Sequence, residues 1–202
     1  MAFVGQPLII SFYTRKTPYE QEVKNLLMSC ENFGLETAIE GIDSLGSWKN
    51  NVAVKPFYIR AALEKHKRPL IWIDADGVFL KKPDFTPFLS YDFSVRFMPL
   101  FEGDRRLALN AATLFVNNTL QGKKLVETWC ERAEEVVKKE GTIDFLDQIA
   151  LFDILAMDRE AKVLPLPVAY CKIYDLDCFF IDDDEVIIEQ RQASRRLKEV
   201  IT

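Results

Sequence analysis

Two aspartates separated by one small residue, Asp74 and Asp76, form the chemistry-bearing group that stands out most in the sequence. They follow a short apolar run, Leu70 to Ile73, which predicts a buried strand, and Gly77 then lets the chain turn. Ligands bind at the carboxyl ends of strands in open α/β sheets, so carboxylates at this point are well placed for chemistry. Two hard oxygen ligands at this spacing suit Mg²⁺ or Mn²⁺ that also contacts a phosphate. The alternative is an acidic turn that only ends the strand.

A lysine at the start of a predicted helix is the second group of interest. Lys55 precedes Pro56, and the helix is expected from Phe57 to His66, with proline at the first helical position. The ammonium would then lie beside a helix N-terminus, where anions bind, so Lys55 is predicted to contact a phosphate. The alternative is a solvated lysine. His66 is the only histidine, and in its basic cluster we expect a surface residue without a catalytic role.

The elements that must position these residues follow an α/β pattern. A strand from Leu8 to Tyr13, a helix stopped by Gly34 and a strand from Leu35 to Ile42 form a βαβ unit. Such a unit implies a right-handed crossover and a parallel sheet. Further predicted strands are Tyr91 to Met98, Leu109 to Asn118, Lys162 to Leu164, Val168 to Tyr170, Phe179 to Ile181 and Val186 to Ile188. Further predicted helices run from Thr119 to about Lys139 and from about Asp144 to Met157.

Length and charge limit the possible classes of protein. The 202 residues predict one domain spanning 1–202, and no linker or internal repeat divides them. The net charge of −5, without a long Lys/Arg run, argues against nucleic acid or an anionic membrane as the main partner. The four cysteines, Cys30, Cys130, Cys171 and Cys178, form no C-x-x-C pair and are expected to be reduced thiols. No apolar run is long enough to span a bilayer and no signal peptide is apparent, so we expect a cytoplasmic protein without a transmembrane segment.

The order of these features resembles that of the GT-A-fold, nucleotide-sugar-dependent glycosyltransferases, from about Leu8 to Lys198. The resemblance implies a single Rossmann-like α/β domain with a mixed, mostly parallel sheet flanked by helices. It also implies a hexosyltransferase-like enzyme. Five pieces in the family's order carry it: Phe12-Tyr13-Thr14, Lys55-Pro56, Asp74-Ala75-Asp76, Asn110 to Asn118, and Asp147-Gln148.

The resemblance assigns roles to individual residues. Tyr13 and Thr14 would hold the nucleotide base and ribose. Asp76 would bind a divalent metal, Mn²⁺ or Mg²⁺, that bridges the donor diphosphate, and Asp74 would bind the ribose or the same metal. The implied donor is a nucleotide-diphosphate sugar, with a UDP-sugar expected, and the acceptor is an unspecified glycan, small molecule or protein. Three further residues would lie at the sugar: Asn110 against the transferred sugar, and Asp147 and Gln148 near the sugar and acceptor.

The sequence departs from the family's pattern at two points. Many members have glycine where this chain has Ala112, which predicts a tighter sugar pocket. Several members supply a histidine near the C-terminus as a third metal ligand. In this chain Glu189 is the expected substitute, with Gln190 as the alternative.

Three other interpretations compete with these assignments. Asp147 could serve only as favourable charge at a helix N-terminus. The run Ile73 to Phe79 also resembles the first motif of haloacid-dehalogenase-type phosphatases, in which Asp74 would be the nucleophile and Asp76 the acid and base. That motif usually ends the first strand of its fold, whereas a βαβ unit precedes it in this chain. The third alternative is a non-catalytic nucleotide-sugar binder.

Overall fold

The structure is a computed structural model, and it describes residues 6–98, 105–177 and 180–196. Its strands are β1 (Leu8–Thr14), β2 (Thr37–Ile42), β3 (Leu70–Ile73), β4 (Gly77–Phe79), β5 (Phe93–Phe97), β6 (Leu109–Val116), β7 (Val163–Pro165), β8 (Lys172–Ile173) and β9 (Ile188–Gln190). Its α-helices are α1 (Tyr19–Asn32), α2 (Trp48–Ala53), α3 (Lys55–His66), α4 (Leu120–Glu140), α5 (Leu146–Met157) and α6 (Ala193–Arg196).

The main sheet has six strands in the order β2-β1-β3-β6-β5-β7. Strand β1 pairs in parallel with both β2 and β3, and β5 pairs in parallel with β7. Strand β6 is antiparallel to β3 and β5. The predicted α/β fold, a mixed and mostly parallel sheet flanked by helices, is therefore confirmed. The carboxyl ends of β1 and β3 and the amino end of β6 meet at one edge of this sheet, which we call the carboxylate edge.

Successive residues of the central strands serve different cores on the two faces of the sheet. In β3, Leu70 and Trp72 face the core that α3, α4 and α5 cover, while Ile71 and Ile73 face the core that α1 covers. This is the alternation that a β-strand imposes on its side chains. All four side chains are at most 2% exposed, so β3 reads as a continuous apolar run because it is buried on both faces.

Helix boundaries follow from local chemistry. Thr119 accepts a hydrogen bond from the backbone of Gly122, at 3.0 Å, and so caps α4. Gly141, with φ of 74°, ends the same helix. Helix α3 begins at Lys55, with Pro56 at the next position, as expected from a residue that lacks a backbone donor. Among the helices of the described residues, none is long and apolar enough to cross a membrane.

A second sheet, β4-β9-β8, was not predicted from the sequence. The predicted strand at Val168 to Tyr170 is wrong: these residues form a 3₁₀ turn, in which Tyr170 donates to the carbonyl of Pro167 at 3.0 Å. Proline at 165 and 167 removes two backbone donors, which disfavours a strand there. The last strand is Ile188–Gln190 instead of Val186 to Ile188. The predicted strand at Phe179 to Ile181 lies partly outside the described residues, and Ile181 belongs to no strand.

Candidate active site

Asp74 is held at the carboxylate edge by backbone and side-chain contacts. Its backbone donates to the carbonyl of Ala112 on β6 at 2.9 Å, and its carbonyl accepts from Gly77 at 2.8 Å to close a turn. The indole N–H of Trp72 donates to Asp74 Oδ1 at 2.8 Å. The Asp74 side chain is 35% exposed, so it remains accessible to a ligand. Strand β3 therefore presents Asp74 in a fixed orientation.

Lys55 joins Asp74 to the predicted catalytic residue of α5. Its Nζ lies 3.0 Å from Asp74 Oδ1, 2.8 Å from Asp147 Oδ2 and 3.2 Å from the carbonyl of Ala111. These contacts use all three donors of the ammonium, and the Trp72 ring lies 5.4 Å from it. Burial lowers the pKa of Lys55, but Asp147 and Asp74 outweigh that effect and leave the pKa raised. A lysine with a 5% exposed side chain is not solvated, so that alternative is wrong, and its predicted contact with a phosphate stays a prediction.

Asp76 is the more buried of the two aspartates, with 8% of its surface exposed. Its Oδ2 accepts from the backbone of Ala193 at 2.5 Å, and its carbonyl accepts from the backbone of Arg191 at 3.2 Å. Desolvation and the charge of Asp74 raise the pKa of Asp76 to about 6. Desolvation likewise raises the pKa of Asp74, against the opposing effect of Lys55. The two hydrogen bonds from Ala193 and Arg191 thus hold Asp76 at the edge of the main sheet.

Gly77 is needed at this edge because of its surroundings. Its φ is not positive, so the turn itself does not require glycine. A Cβ at this position would lie 2.4 Å from Ile73 Cγ2 and 3.0 Å from Gln190 Oε1. Gly77 was expected to supply conformational freedom for the turn. Instead, glycine is needed because the side chains of Ile73 and Gln190 approach its backbone closely.

Of the two predicted third ligands, Gln190 lies against the carboxylate edge. Its Nε2 donates to the carbonyl of Ala112 at 3.2 Å and to Thr113 Oγ1 at 2.8 Å, while its buried Oε1 has no hydrogen-bond partner among the described residues. Glu189 is the neighbouring residue of the same strand, so its side chain points to the opposite face. Its carboxylate lies 3.5 Å from Arg191 and 3.9 Å from Lys172. The structure thus does not bring Glu189 to Asp74 and Asp76.

The donor groups at the edge fit a divalent cation that a substrate helps to bind. No three His, Cys, Asp or Glu residues of the described ranges form a group that could hold a metal ion by themselves. Asp74 and Asp76 offer two carboxylates, and Mg²⁺ is commonly bound by one or two carboxylates together with substrate phosphates. Asp74 and Asp147 share the single ammonium of Lys55, and Asp76 adds a third carboxylate that interacts with Asp74, so the excess of negative charge favours a cation.

The remaining predicted sugar-site residues, Asn110, Asp147 and Gln148, lie around the start of β6 and α5. Gln148 Oε1 accepts from the backbone of Ala111 at 3.2 Å. Asn110 Oδ1 accepts from the backbone of Ala112 at 2.9 Å and lies 3.4 Å from Cys171 Sγ. Asp147 is in the first turn of α5, as predicted, and is only 2% exposed. Their roles in catalysis stay predictions, but the fold brings these side chains to the elements that hold Asp74.

Tyr13 and Thr14 end β1, which is the neighbour of β3 in the sheet. Thr14 is buried, and its hydroxyl lies 3.0 Å from that of Thr17. Tyr13 is half-buried and pairs in register with Gly41 of β2. A Cβ on Gly41 would lie 2.9 Å from Tyr13 Cζ, so the aromatic ring lies across a bare stretch of backbone. The predicted nucleotide-binding residues therefore share the carboxylate edge with Asp74.

Comparison with solved structures identifies the fold. A glycosyltransferase involved in the glycosylation of the major capsid of PBCV-1 matches with a TM-score of 0.68 at 13% sequence identity, over 95% of this chain and 95% of that chain. The chain has a glycosyltransferase fold. Two structures of the glycosyltransferase GlyE from Streptococcus pneumoniae TIGR4, one of them the apo form, match with TM-scores of 0.56 and 0.58 at 14% and 16% identity. They cover 92% of this chain but only 55% and 54% of GlyE. No protein-family model and no curated protein matches the chain.

Three aromatic residues near the candidate site were given no role in it from the sequence. Burial raises the pKa of Tyr19, and the negative charges of Asp76 and Asp74 raise it further. Trp48 packs edge-on against Phe145, with ring centroids 5.8 Å apart. Tyr19 and Trp48 begin helices, and Phe145 directly precedes one. An aromatic residue at the start of a helix is therefore the sequence feature that could have identified them.

Proposed function

We propose that the chain is a metal-dependent glycosyltransferase that moves a sugar from a nucleotide-diphosphate sugar to an acceptor, with a GT-A arrangement of its site. A UDP-sugar is the expected donor. The observation that carries the proposal is the convergence of Asp74 and Asp147 on one buried ammonium, that of Lys55, at the carboxylate edge. The fold of solved glycosyltransferases, matched over nearly the whole chain, supports it.

In the proposed reaction, the acceptor oxygen forms a bond to the anomeric carbon, the bond from that carbon to the diphosphate oxygen breaks, and the acceptor's proton passes to the departing diphosphate or to solvent. The departing diphosphate gains negative charge, and a divalent cation held by Asp74 and Asp76 would stabilise that charge as a Lewis acid. Tyr13 and Thr14 at the end of β1 would hold the nucleoside. In this proposal, some residues of the chain bind the donor and others orient the sugar.

Asp147 acts on the sugar side of the site in this proposal. Its carboxylate stabilises positive charge at the anomeric carbon or orients the acceptor hydroxyl. Lys55 holds Asp147 and Asp74 in a fixed relation, because its ammonium contacts both carboxylates directly. Gln148 and Asn110 would complete the sugar contacts from α5 and β6. Pre-positioned groups of this kind lower the barrier because they need not reorganise during the reaction.

The phosphatase alternative receives less support from the structure. Asp74 follows β3, the third strand in chain order, whereas the first motif of that family usually ends the first strand of its fold. The proposed glycosyl transfer also gives roles to Asp147 and Gln148, which have none in a phosphatase. Turnover of a phosphate monoester would still revive that alternative.

A calorimetric titration with nucleoside diphosphates tests the proposal. UDP, GDP and ADP are titrated into the protein with Mn²⁺ and, separately, with EDTA. We expect one nucleotide to bind with Mn²⁺ and to lose most of its affinity in EDTA, because a net-acidic site has few fixed cations for a diphosphate. The Asp76→Asn variant should behave in Mn²⁺ as the parent does in EDTA, and Asp184→Asn in the exposed acidic turn is the matched control. Equal affinity with and without the metal would remove the metal from the proposal.

A further inference from the structure

Two aromatic side chains meet beside the candidate site, and we call Trp48 and Phe145 the aromatic rim. Trp48 is the first residue of α2, and Phe145 directly precedes α5. The rings of Trp48 and Phe145 meet edge to face, at 5.8 Å and 78°. The rim therefore lies where the starts of α2 and α5 meet.

Phe145 is held in an unusual position for a large apolar residue. Its backbone is left-handed, with φ of 56° and ψ of 28°, and its side chain is exposed, with 45% of the residue accessible to solvent. Strain of this kind persists where the surrounding structure enforces it, and it occurs often at ligand-binding sites. Asp147 lies two residues further along α5. The backbone thus places an exposed phenyl ring at the start of the helix that carries Asp147.

The rim combines apolar ring surfaces with polar groups. Aromatic faces are negative and attract the weakly positive C–H groups of a pyranose ring, while the indole N–H of Trp48 is a hydrogen-bond donor. Asp74 and Asp147 share one ammonium, that of Lys55, and Asp76 adds a further carboxylate, so the excess of negative charge disfavours an anionic ligand. A neutral saccharide fits both the aromatic ring surfaces and the excess of negative charge.

We propose that the aromatic rim is the acceptor-binding surface and that it takes a neutral pyranose ring. The inference rests on the proposed glycosyl transfer, because only a transferase needs a second sugar site beside Asp147. The nucleoside is expected at the other end of the carboxylate edge, at Tyr13 and Thr14. Phe145 and Trp48 at the Asp147 end are therefore specificity-determining residues for the acceptor, and their loss should leave donor binding unchanged.

Tryptophan fluorescence gives a direct test, since the chain has three tryptophans and only Trp48 is partly exposed. Trp72 is 2% and Trp129 is 0% exposed, so quenching by acrylamide reports mainly on Trp48. The probes are methyl glucoside, methyl galactoside and methyl mannoside, with the acyclic polyol sorbitol as the control. We expect at least one pyranoside to protect Trp48 in a saturable manner and sorbitol not to protect it. Protection by none of the three pyranosides, or equal protection by sorbitol, would overturn the inference.

Variants separate an acceptor site from a packing role. Phe145→Tyr keeps the ring and should keep the pyranoside affinity, whereas Phe145→Leu should weaken it by about fivefold, as expected for one lost aromatic contact. Tyr174→Leu removes an aromatic residue that is 59% exposed elsewhere and should change nothing. Trp48→Phe is a second variant that retains an aromatic ring. Its affinity for the pyranosides is measured by calorimetry. Equal affinities in Phe145→Leu and the parent would contradict the inference.

Donor binding distinguishes this inference from the proposed function. In Phe145→Leu the calorimetric affinity for the nucleoside diphosphate should equal that of the parent, and the acceptor KM should rise. A loss of nucleotide affinity would assign the rim to the donor site and overturn the inference. Pyranoside protection of Trp48 in a protein that turns over no nucleotide sugar would leave the rim intact as a saccharide site and refute glycosyl transfer.

Discussion

The ammonium nitrogen of Lys55 lies 2.8 Å from a carboxylate oxygen of Asp147. The two residues stand at the starts of α3 and α5, and the same ammonium contacts Asp74 at the end of β3. One buried cation thus fixes the relative positions of three elements and of two predicted site residues. The consequences for stability and for turnover can be measured separately.

Replacing Lys55 by methionine should strongly destabilise the fold. The substitution keeps an unbranched side chain but leaves the buried carboxylate of Asp147 without its cation, a change that commonly costs about 3–5 kcal/mol of unfolding free energy. Lys65→Met is the matched control, because Lys65 pairs with Glu40 on the surface, with 64% of its side chain exposed. That control should lose less than about 1 kcal/mol in urea unfolding. Similar losses in both variants would show that the buried pairs do not support the site.

Asp147→Asn should lower turnover far more than it lowers donor affinity. A group that acts on the anomeric carbon or the acceptor stabilises the transition state, so its loss should cost about a hundredfold in rate. Because Asp147 contacts Lys55 and is buried, the unfolding free energy should also fall, by roughly 1–3 kcal/mol. Asp144→Asn, at an exposed position just before α5, tests a general effect of charge at the helix start. If folded Asp147→Asn protein transfers sugar normally, Asp147 has only a structural role.

Asp76→Asn should stabilise the metal-free protein while it abolishes turnover. The folded protein raises the pKa of Asp76 to about 6, so between pH 4 and 6 the folded state binds more protons than the unfolded state. Stability therefore falls as pH rises through this window, and the amide, which can still accept from Ala193, removes that loss. In EDTA the variant should gain roughly 1–3 kcal/mol over the parent at pH 7 and little at pH 4. A gain independent of pH would mean that the Asp76 charge is not its source.

Gly41→Ala should weaken nucleotide binding without touching the carboxylates. The new methyl group would lie 2.9 Å from both Tyr13 Cζ and Arg15 Nε, so the ring and the guanidinium must move from their positions at the end of β1. We expect a loss of affinity for the nucleoside diphosphate of about tenfold, the equivalent of one displaced ring contact. Glu40→Ala, the neighbouring position on β2, faces the other side of the sheet and is the control. Unchanged affinity in Gly41→Ala would exclude Tyr13 from the nucleotide site.

The sequence predicts the frame of this fold well because burial leaves a direct pattern. Leu70 to Ile73 reads as one apolar run since both of its faces are covered, and Gly141 ends α4 where the helical pattern stops. The small sheet β4-β9-β8 could not be predicted in the same way. Its strands have two or three residues each, too short for a periodic pattern, and they form only because distant segments pair.

The candidate site was predictable as a set of residues but not as a set of contacts. The types and positions of Asp74, Asp76 and Asp147 identify them as candidates. That Lys55 would be buried between two carboxylates could not be inferred, because the position of α5 relative to α3 depends on the tertiary fold. For the same reason the choice between Glu189 and Gln190 stayed open until the direction of each side chain in β9 was known.

Release of nucleoside diphosphate from nucleotide sugars tests the central proposal most directly. UDP- and GDP-linked hexoses are incubated with the protein and Mn²⁺, and the products are separated by chromatography and identified by mass spectrometry. We expect one donor class to release its nucleoside diphosphate, faster when a saccharide acceptor is present, with the activity lost in Asp76→Asn and Asp147→Asn and retained in Asp184→Asn. Folded protein that turns over no nucleotide sugar, or that instead releases phosphate from a monoester in an Asp74-dependent manner, would contradict the assignment as a glycosyltransferase.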